Sequence, residues 1–150
     1  MALPPRIDAK AVRERIGAYA DRVAPAEERG EIYRELIGFV PPRIEARMAV
    51  TGALDPALID LQERMREHAM YPKCFDVKTA QLMLFGMLLM DMSDAAQLHA
   101  IAARRAGASF EELQAVVSLC FLFRGLPAAN RGAEVMANIA KREADAAAAD

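Results

Sequence analysis

The chain has 150 residues and a formal net charge of −2, and 54% of its residues are hydrophobic. Its Lys and Arg residues are interleaved with Asp and Glu, so no basic stripe indicates nucleic-acid binding. The longest dense apolar stretch, residues 82–90, is much shorter than the roughly 20 residues that a membrane span needs. The first residues contain no apolar run followed by a small-residue cleavage site, so we expect no secretory signal. A cytoplasmic protein without a nucleic-acid or membrane partner is expected.

Apolar residues spaced three and four apart predict helices along most of the chain, and no segment alternates long enough for a strand. In the first half, Asp8 can cap a first helix, which Pro25 separates from a second. Pro41-Pro42 ends the second helix. After a short apolar segment, Asp55-Pro56 is typical of an N-cap followed by a first-turn proline, and this helix ends near Tyr71-Pro72.

The second half contains clearer helix boundaries. The most hydrophobic helix runs from Asp76 to about Met90. Further boundary signals follow at Ser93 as an N-cap, Gly107 at the C′ position, the capping box of Ser109 and Glu112, and Pro127 in the last helix. These boundaries predict an all-α fold.

His99 lies in the middle of one predicted helix, and it is the first candidate for a catalytic residue. Its neighbours three and four residues away are Ala95, Ala96, Ala102 and Ala103. Four small side chains leave space beside an imidazole, which exchanges protons near neutral pH. The alternative is an ordinary helix in which alanine is a good helix former and the histidine is hydrogen-bonded or exposed.

Other side chains offer weaker signals. Gln81 stands one turn into the apolar helix, where it either faces solvent or meets a polar partner. Arg124 and Arg131 could each clamp a carboxylate, or could serve as surface charges. Met83 and Met87 would line an apolar pocket or a subunit interface, or fill the core.

Metal and thiol chemistry have little support in the sequence. Neither His68 nor His99 has acidic residues at ligand spacing, so no metal site is expected, and His68 suits the negative end of a helix dipole. Cys74 and Cys120 form no Cys-x-x-Cys motif. This pattern is typical of ordinary thiols in a reducing compartment.

The order of motifs from Asp76 onward resembles the carboxymuconolactone decarboxylase family, which shares its fold with the alkylhydroperoxidase AhpD. The resemblance covers roughly residues 36–140. The motifs are Gly38-Phe39-Val40-Pro41, Asp76-Val77-Lys78-Thr79-Ala80-Gln81-Leu82, His99-x-x-Ala102, Ala106-Gly107-Ala108-Ser109-x-Glu111-Glu112-Leu113 and Gly125-Leu126-Pro127-Ala128.

The resemblance implies an AhpD-like bundle of about seven or eight helices that assembles into trimers or hexamers. Chain length predicts a single domain over residues 1–150, and the alanine and aspartate of residues 144–150 predict a frayed tail. Within that domain the resemblance implies a helical extension at 1–40 and a family core at 41–143. It also implies cofactor-independent decarboxylation of a small carboxylated lactone or related acid in aromatic-compound catabolism. His99 would be the acid or the oxyanion donor, Gln81 would donate to the lactone oxygen, and Arg124 or Arg131 would hold a carboxylate.

Two departures from the family pattern bear on the chemistry. The peroxidase branch carries Cys-x-x-Cys just before the histidine, whereas residues 91–98 contain no cysteine, so thiol redox chemistry is the least favoured function. Many members place a glutamate where Gln81 stands, and a glutamine cannot take up a proton. The segment before His99 is also about one residue shorter than the usual pattern. The alternative function is a non-catalytic or ligand-binding helical oligomer of the same fold.

Overall fold

A computed structural model describes residues 26–149, and the only regular secondary structure in this part of the chain is α-helix, with no strand. The all-α prediction is confirmed. The first predicted helix, which begins at Asp8, lies outside the described residues. The seven described helices are α1 (Ala26–Ile37), α2 (Pro42–Leu54), α3 (Pro56–Met70), α4 (Val77–Met90), α5 (Ala95–Arg105), α6 (Phe110–Arg124) and α7 (Leu126–Ala147).

The chain divides into two compact units, Met1–Ala69 and Met70–Asp150. Helices α1, α2 and almost all of α3 belong to the first unit, and α4 to α7 form the second. The sequence-based division into an extension, a core and a tail stays a prediction. No helix in the described residues combines the length and the apolar character that crossing a membrane requires.

In the first unit, α2 begins at Pro42 and α3 at Pro56, and the sequence predicts the second of these first-turn prolines. Pro41 precedes α2 in an extended conformation, and α2 continues as far as Leu54. The Asp55 carboxylate then accepts a hydrogen bond from the backbone N–H of Leu58 (2.9 Å) and so caps α3.

In the second unit, local side chains cap two helices. Asp76 accepts from the backbone N–H of Thr79 at the start of α4, and Ser109 and Glu112 form the predicted capping box of α6. Gly107 adopts φ +93° after α5, in the left-handed region that favours glycine. The sequence predicts Ser93 as the N-cap of α5, but Asp94 holds that position, while Ser93 Oγ accepts from the N–H of Ala95 (3.3 Å).

Helices α4 to α7 bury a common apolar core. Its fully buried members include Phe85 and Leu89 from α4, Leu113 from α6 and Val135 from α7. Two glycines let helices approach closely, because Gly86 faces Val116 and Gly132 faces Val117. Helix α7 extends through Ala147, and its last turn, residues 144–147, is mostly alanine, the strongest helix former.

Candidate functional site: the Gln81–His99 pair

Gln81 of α4 and His99 of α5 form a direct side-chain hydrogen bond. Oε1 of Gln81 lies 2.8 Å from Nδ1 of His99, although the two residues are 18 positions apart. The short connection between α4 and α5 makes the two helices neighbours, and this places the amide against the ring. The structure therefore joins the two residues that sequence reasoning assigned to catalysis.

The bond defines the tautomer of His99. An amide oxygen only accepts hydrogen bonds, so Nδ1 must carry the hydrogen that it donates to Gln81. In the neutral ring, Nε2 then carries the lone pair. When the ring is protonated, Nδ1 still donates to Gln81 and Nε2 becomes a second N–H. The same contact thus suits both protonation states of the imidazole.

Gln81 is fully buried, with 0% of its surface exposed. The alternative of a solvated first turn is therefore wrong. While its oxygen is bonded to His99, its Nε2 is buried and has no hydrogen-bond partner within the described residues. An unpaired buried N–H costs about 1–3 kcal/mol, so this amide would gain by meeting an acceptor.

His99 is partly buried, at the border between the core and the surface of the second unit. Of the four alanines around it, Ala96, Ala102 and Ala103 are buried and contribute to the packed interior. Ala95 is partly exposed. The small side chains around His99 therefore belong largely to the packed interior of the second unit.

An ion pair links α4 to α6 close to Gln81. Nζ of Lys78 donates to Oε1 of Glu112 at 2.7 Å, while Oε2 of Glu112 accepts from the backbone N–H of Ser109. The hydrogen bond to Glu112 raises the pKa of Lys78, and the bond from Lys78 lowers the pKa of Glu112. Both groups stay charged at neutral pH, so this pair ties the first turn of α6 to the turn of α4 that precedes Gln81.

The methionines predicted to line the substrate pocket lie elsewhere on α4. Met83 is 43% exposed and Met87 is 60% exposed. At about 100° per residue, they project about 200° and 240° around the helix axis from Gln81. The structure does not bring them to the Gln81–His99 pair, and within one subunit they form part of an apolar surface.

The two arginines predicted to hold a carboxylate have different surroundings. Arg124 ends α6 and is exposed. Arg131 of α7 reaches the start of α5, where its Nη2 donates to Asp94 (2.7 Å), while its Nη1 donates to Glu134 of α7 (2.8 Å). Five residues separate Asp94 from His99, or about 7.5 Å of helical rise. A substrate carboxylate would have to displace one of these acidic partners to bind Arg131.

The two cysteines and His68 lie at three separate places in the described part of the chain. Cys74 is exposed, whereas Cys120 is buried and donates through Sγ to the carbonyl oxygen of Gly86 (3.5 Å). Burial raises the pKa of the Cys120 thiol. His68 is exposed in the last turn of α3, where a histidine suits the helix dipole. Across the described residues, no three His, Cys, Asp or Glu side chains form a metal-binding group.

Sequence reasoning missed a buried polar cluster in the first unit. The Tyr33 hydroxyl donates to the Glu63 carboxylate (2.9 Å to Oε2), and Arg47 and Arg66 both form ion pairs with that carboxylate. The Arg66 guanidinium also lies 4.1 Å from the centre of the Tyr33 ring. Only the i,i+3 spacing of Glu63 and Arg66 was visible in the sequence, since Tyr33 and Arg47 come from other helices.

Burial and hydrogen bonding shift the pKa of the Glu63 carboxyl in opposite directions. Burial alone would raise the pKa of its carboxyl, but the hydrogen bond from Arg47, the charge of Arg66 and the hydrogen bond from Tyr33 together lower it. Burial also raises the pKa of the Tyr33 hydroxyl, so it remains a donor. The cluster thus joins α1, α2 and α3 through one ionised carboxylate.

Comparison of the chain with protein-family models, with curated proteins and with solved structures returned no match. The family resemblance therefore depends on the motifs of the sequence.

Proposed function

We propose that this chain is a cofactor-independent, carboxymuconolactone decarboxylase-like carboxy-lyase with an AhpD-like fold. The observation that carries the proposal is the hydrogen bond between Gln81 and His99. The family resemblance singled out these two residues separately. Their contact, with a buried and unpartnered amide N–H beside the ring, supports a shared chemical role.

The substrate would be a butenolide with a carboxylate on its γ-carbon. Loss of carbon dioxide leaves an electron pair that moves through the unsaturated lactone into the carbonyl oxygen, giving a dienolate. The ring is its own electron sink, so the protein has to stabilise the oxyanion and return one proton to carbon. His99 would deliver that proton from Nε2 while Gln81 accepts from Nδ1.

Gln81 would take the second task, which is to stabilise the oxyanion. Its buried Nε2 has no acceptor in the described part of the chain, and a developing negative charge on the lactone oxygen would supply one. Arg131 would hold a substrate carboxylate by exchanging it for Asp94 or Glu134. A proton donor, an oxyanion donor and a carboxylate anchor together meet the needs of the reaction without a cofactor.

The test is decarboxylation of γ-carboxymuconolactone, followed by NMR of the lactone protons. Replacement of His99 by Ala should slow turnover by roughly 10²–10⁴-fold, the usual contribution of a positioned acid or base. The matched control is His68→Ala, which removes an exposed histidine from α3 and should turn over like the parent. An inactive parent protein that is correctly folded would refute the proposal.

His99→Gln separates the two roles open to the ring. If His99 delivers the proton, glutamine should be about as slow as alanine, because an amide does not give up a proton readily. If His99 only donates a hydrogen bond to the oxyanion, glutamine should restore much of the rate. Equal rates for His99→Ala, His99→Gln and the parent would instead place His99 outside the chemistry.

A non-catalytic helical oligomer is the second candidate, and one observation favours it. The side chains of Leu119, Leu122 and Phe123 on α6 are 63%, 70% and 85% exposed, and Leu126 at the start of α7 is 66% exposed. Exposed apolar patches of this kind mark interaction surfaces. A trimer or hexamer that binds butenolides without turning them over would favour this second candidate.

A further inference from the structure

The thiol of Cys120 on α6 lies directly against the backbone of α4 at Gly86. Its Sγ donates to the carbonyl oxygen of Gly86 (3.5 Å), and a Cβ at position 86 would lie only 3.7 Å from that sulfur. Because glycine has no Cβ, the thiol packs against the helix itself. Cys120 is buried, whereas Gly86 is partly exposed. This contact, the Gly86–Cys120 seam, therefore runs from the core to the surface of the second unit.

Three methionines of α4 lie beside Gly86 on the outer side of this seam. At about 100° per residue, Met83, Met87 and Met90 fall within a sector of about 60° around the helix axis, and the sector begins about 40° from Gly86. Along the axis, they lie about one turn before Gly86, next to it and about one turn beyond it. Met83 and Met87 are exposed, and Met90 is partly buried. Methionine is unbranched and has three rotatable bonds, so the three sulfur atoms can converge on the seam.

The two helix segments that form the seam carry sulfur donors and no charged side chains. Residues 79–90 of α4 and 113–123 of α6 contain no Asp, Glu, His, Lys or Arg. Hard cations such as Mg²⁺ and Ca²⁺ prefer oxygen ligands, whereas thiolates and thioethers select Cu(I). One thiolate and one monovalent cation are together neutral, so they leave no unpaired charge in an apolar environment. A divalent cation would leave a net positive charge there.

We propose that Cys120, Met83, Met87 and Met90 bind one soft monovalent metal ion, of the Cu(I) class, at the Gly86–Cys120 seam. On binding, the thiol proton of Cys120 passes to solvent and the sulfur electron pair forms the bond to the metal. Lone pairs of the thioethers complete the coordination, and no atom changes its oxidation state. The site uses neither Gln81 nor His99, so it is independent of the proposed carboxy-lyase activity.

The probe is Ag(I) in chloride-free buffer, because it shares the charge and ligand preference of Cu(I) and is stable in air. The protein is the reduced full chain with Cys74→Ser, which removes the exposed thiol. Native mass spectrometry should show one Ag(I) per chain, and anaerobic Cu(I) should displace it. An excess of Zn²⁺ should not displace it. Absence of Ag(I) binding, or displacement by Zn²⁺, would overturn the proposal.

Met87→Leu and Met65→Leu form a matched pair of variants. Both replace an exposed methionine, at 60% and 70% exposure, by a residue of similar volume, and Met65 lies on α3 in the first unit. Met87→Leu should weaken Ag(I) binding by about 10–100-fold, the usual scale when a metal site loses one of its supports. Met65→Leu should bind like its parent. Cys120→Ser should weaken binding at least as strongly as Met87→Leu, because serine provides no thiolate. Equal affinities for the two methionine variants would overturn the proposal.

Methyl NMR locates the ion without any substitution at the site, so it does not depend on whether Cys120→Ser folds. The same Cys74→Ser chain is labelled with ¹³C at the methionine ε-methyl groups, and each signal is assigned from a single Met→Leu variant. One equivalent of Ag(I) should shift the signals of Met83, Met87 and Met90 and leave that of Met65 in place. Equal shifts at Met65, or no shift at the three methionines of α4, would overturn the proposal.

Discussion

Gln81 and His99 hold each other in place across 18 residues of chain, through an amide oxygen 2.8 Å from Nδ1 of the ring. This hydrogen bond should contribute to stability, because Gln81 has no exposed surface and its Nε2 has no partner among residues 26–149. If the ring is removed, the oxygen of this buried amide loses its hydrogen bond as well. The pair should therefore affect stability as well as chemistry.

We predict that His99→Ala lowers the free energy of unfolding by about 1–3 kcal/mol, the cost of leaving a buried polar group unsatisfied. The double variant His99→Ala/Gln81→Leu should recover part of that loss, because leucine has no polar atoms to satisfy. Urea denaturation of the four proteins in this double-mutant cycle measures the coupling. His68→Ala, at an exposed position, should stay within about 0.5 kcal/mol of the parent. Additive losses would mean that the two side chains do not interact.

The first unit should lose stability in acid through Glu63. Hydrogen bonds and arginine charges lower the pKa of this carboxyl in the folded state. Its stabilisation is therefore fully present above the unfolded pKa of about 4.3 and is lost as pH falls through the lower, folded pKa. Hydrogen exchange of peptides from α1 to α3, measured between pH 7 and pH 3, should show protection decreasing below about pH 4.3.

The variant Glu63→Gln should abolish most of that pH dependence. It leaves Arg47 and Arg66 without their shared carboxylate, so it should also destabilise the unit at pH 7. Breaking a buried pair costs about 3–5 kcal/mol, and partial exposure of both arginines places the loss at the low end or below it. Unchanged protection at pH 7 in this variant would contradict the structural role of the cluster.

Gly132 should be intolerant of alanine because α6 lies directly against it. A Cβ at this position would come within 2.7 Å of Cγ1 of Val117 and still closer to its Cγ2. The clash should outweigh the gain of about 1 kcal/mol in helix propensity and should lower stability by about 1–3 kcal/mol. Thermal unfolding of Gly132→Ala and of Gly132→Ala/Val117→Ala tests this. If adding Val117→Ala restores no stability, the strain does not come from the contact between residues 132 and 117.

The cysteines should be dispensable for activity. Cys74 is exposed and Cys120 is buried, with its pKa raised by burial, so Cys120 is a poor nucleophile. We predict that Cys74→Ser/Cys120→Ser keeps most of the native turnover, since a serine hydroxyl at 120 can still donate to the Gly86 carbonyl. A loss of about a hundredfold, with the fold preserved, would revive covalent thiol chemistry.

The sequence predicted helix boundaries well where one local interaction sets them. The Asp76 cap and the capping box at Ser109 each span three residues, so their signal lies within a single turn. The partner of Gln81 could not be predicted, because it depends on how α4 and α5 align after their connection. The position of Met83 could have been predicted, since helical geometry alone places it across the helix axis from Gln81.

The cluster around Glu63 could not be predicted from local sequence patterns. Tyr33 and Arg47 lie 30 and 16 residues before Glu63, so no local pattern links them. Their association depends on the packing of three helices, each of which contributes one side of the carboxylate's surroundings. A buried glutamate also conflicts with the usual expectation that Glu lies at the surface unless it is paired.

The last prediction concerns the apolar face of α6 formed by Leu119, Leu122 and Phe123, which lie within a stripe of about 100°. Each of the three is more than 60% exposed. A second copy of the chain that covered them would recover roughly 25 cal/mol per Å² of apolar surface. We therefore predict a homo-oligomer, a trimer or hexamer by family resemblance.

Phe123→Glu should shift sedimentation towards smaller species at micromolar concentration, because it would bury a charge in the interface. The matched control, Gln114→Glu, adds the same charge to an exposed position on the opposite side of α6 and should leave the assembly intact. A monomeric parent protein, or equal effects of the two substitutions, would show that this face does not mediate assembly.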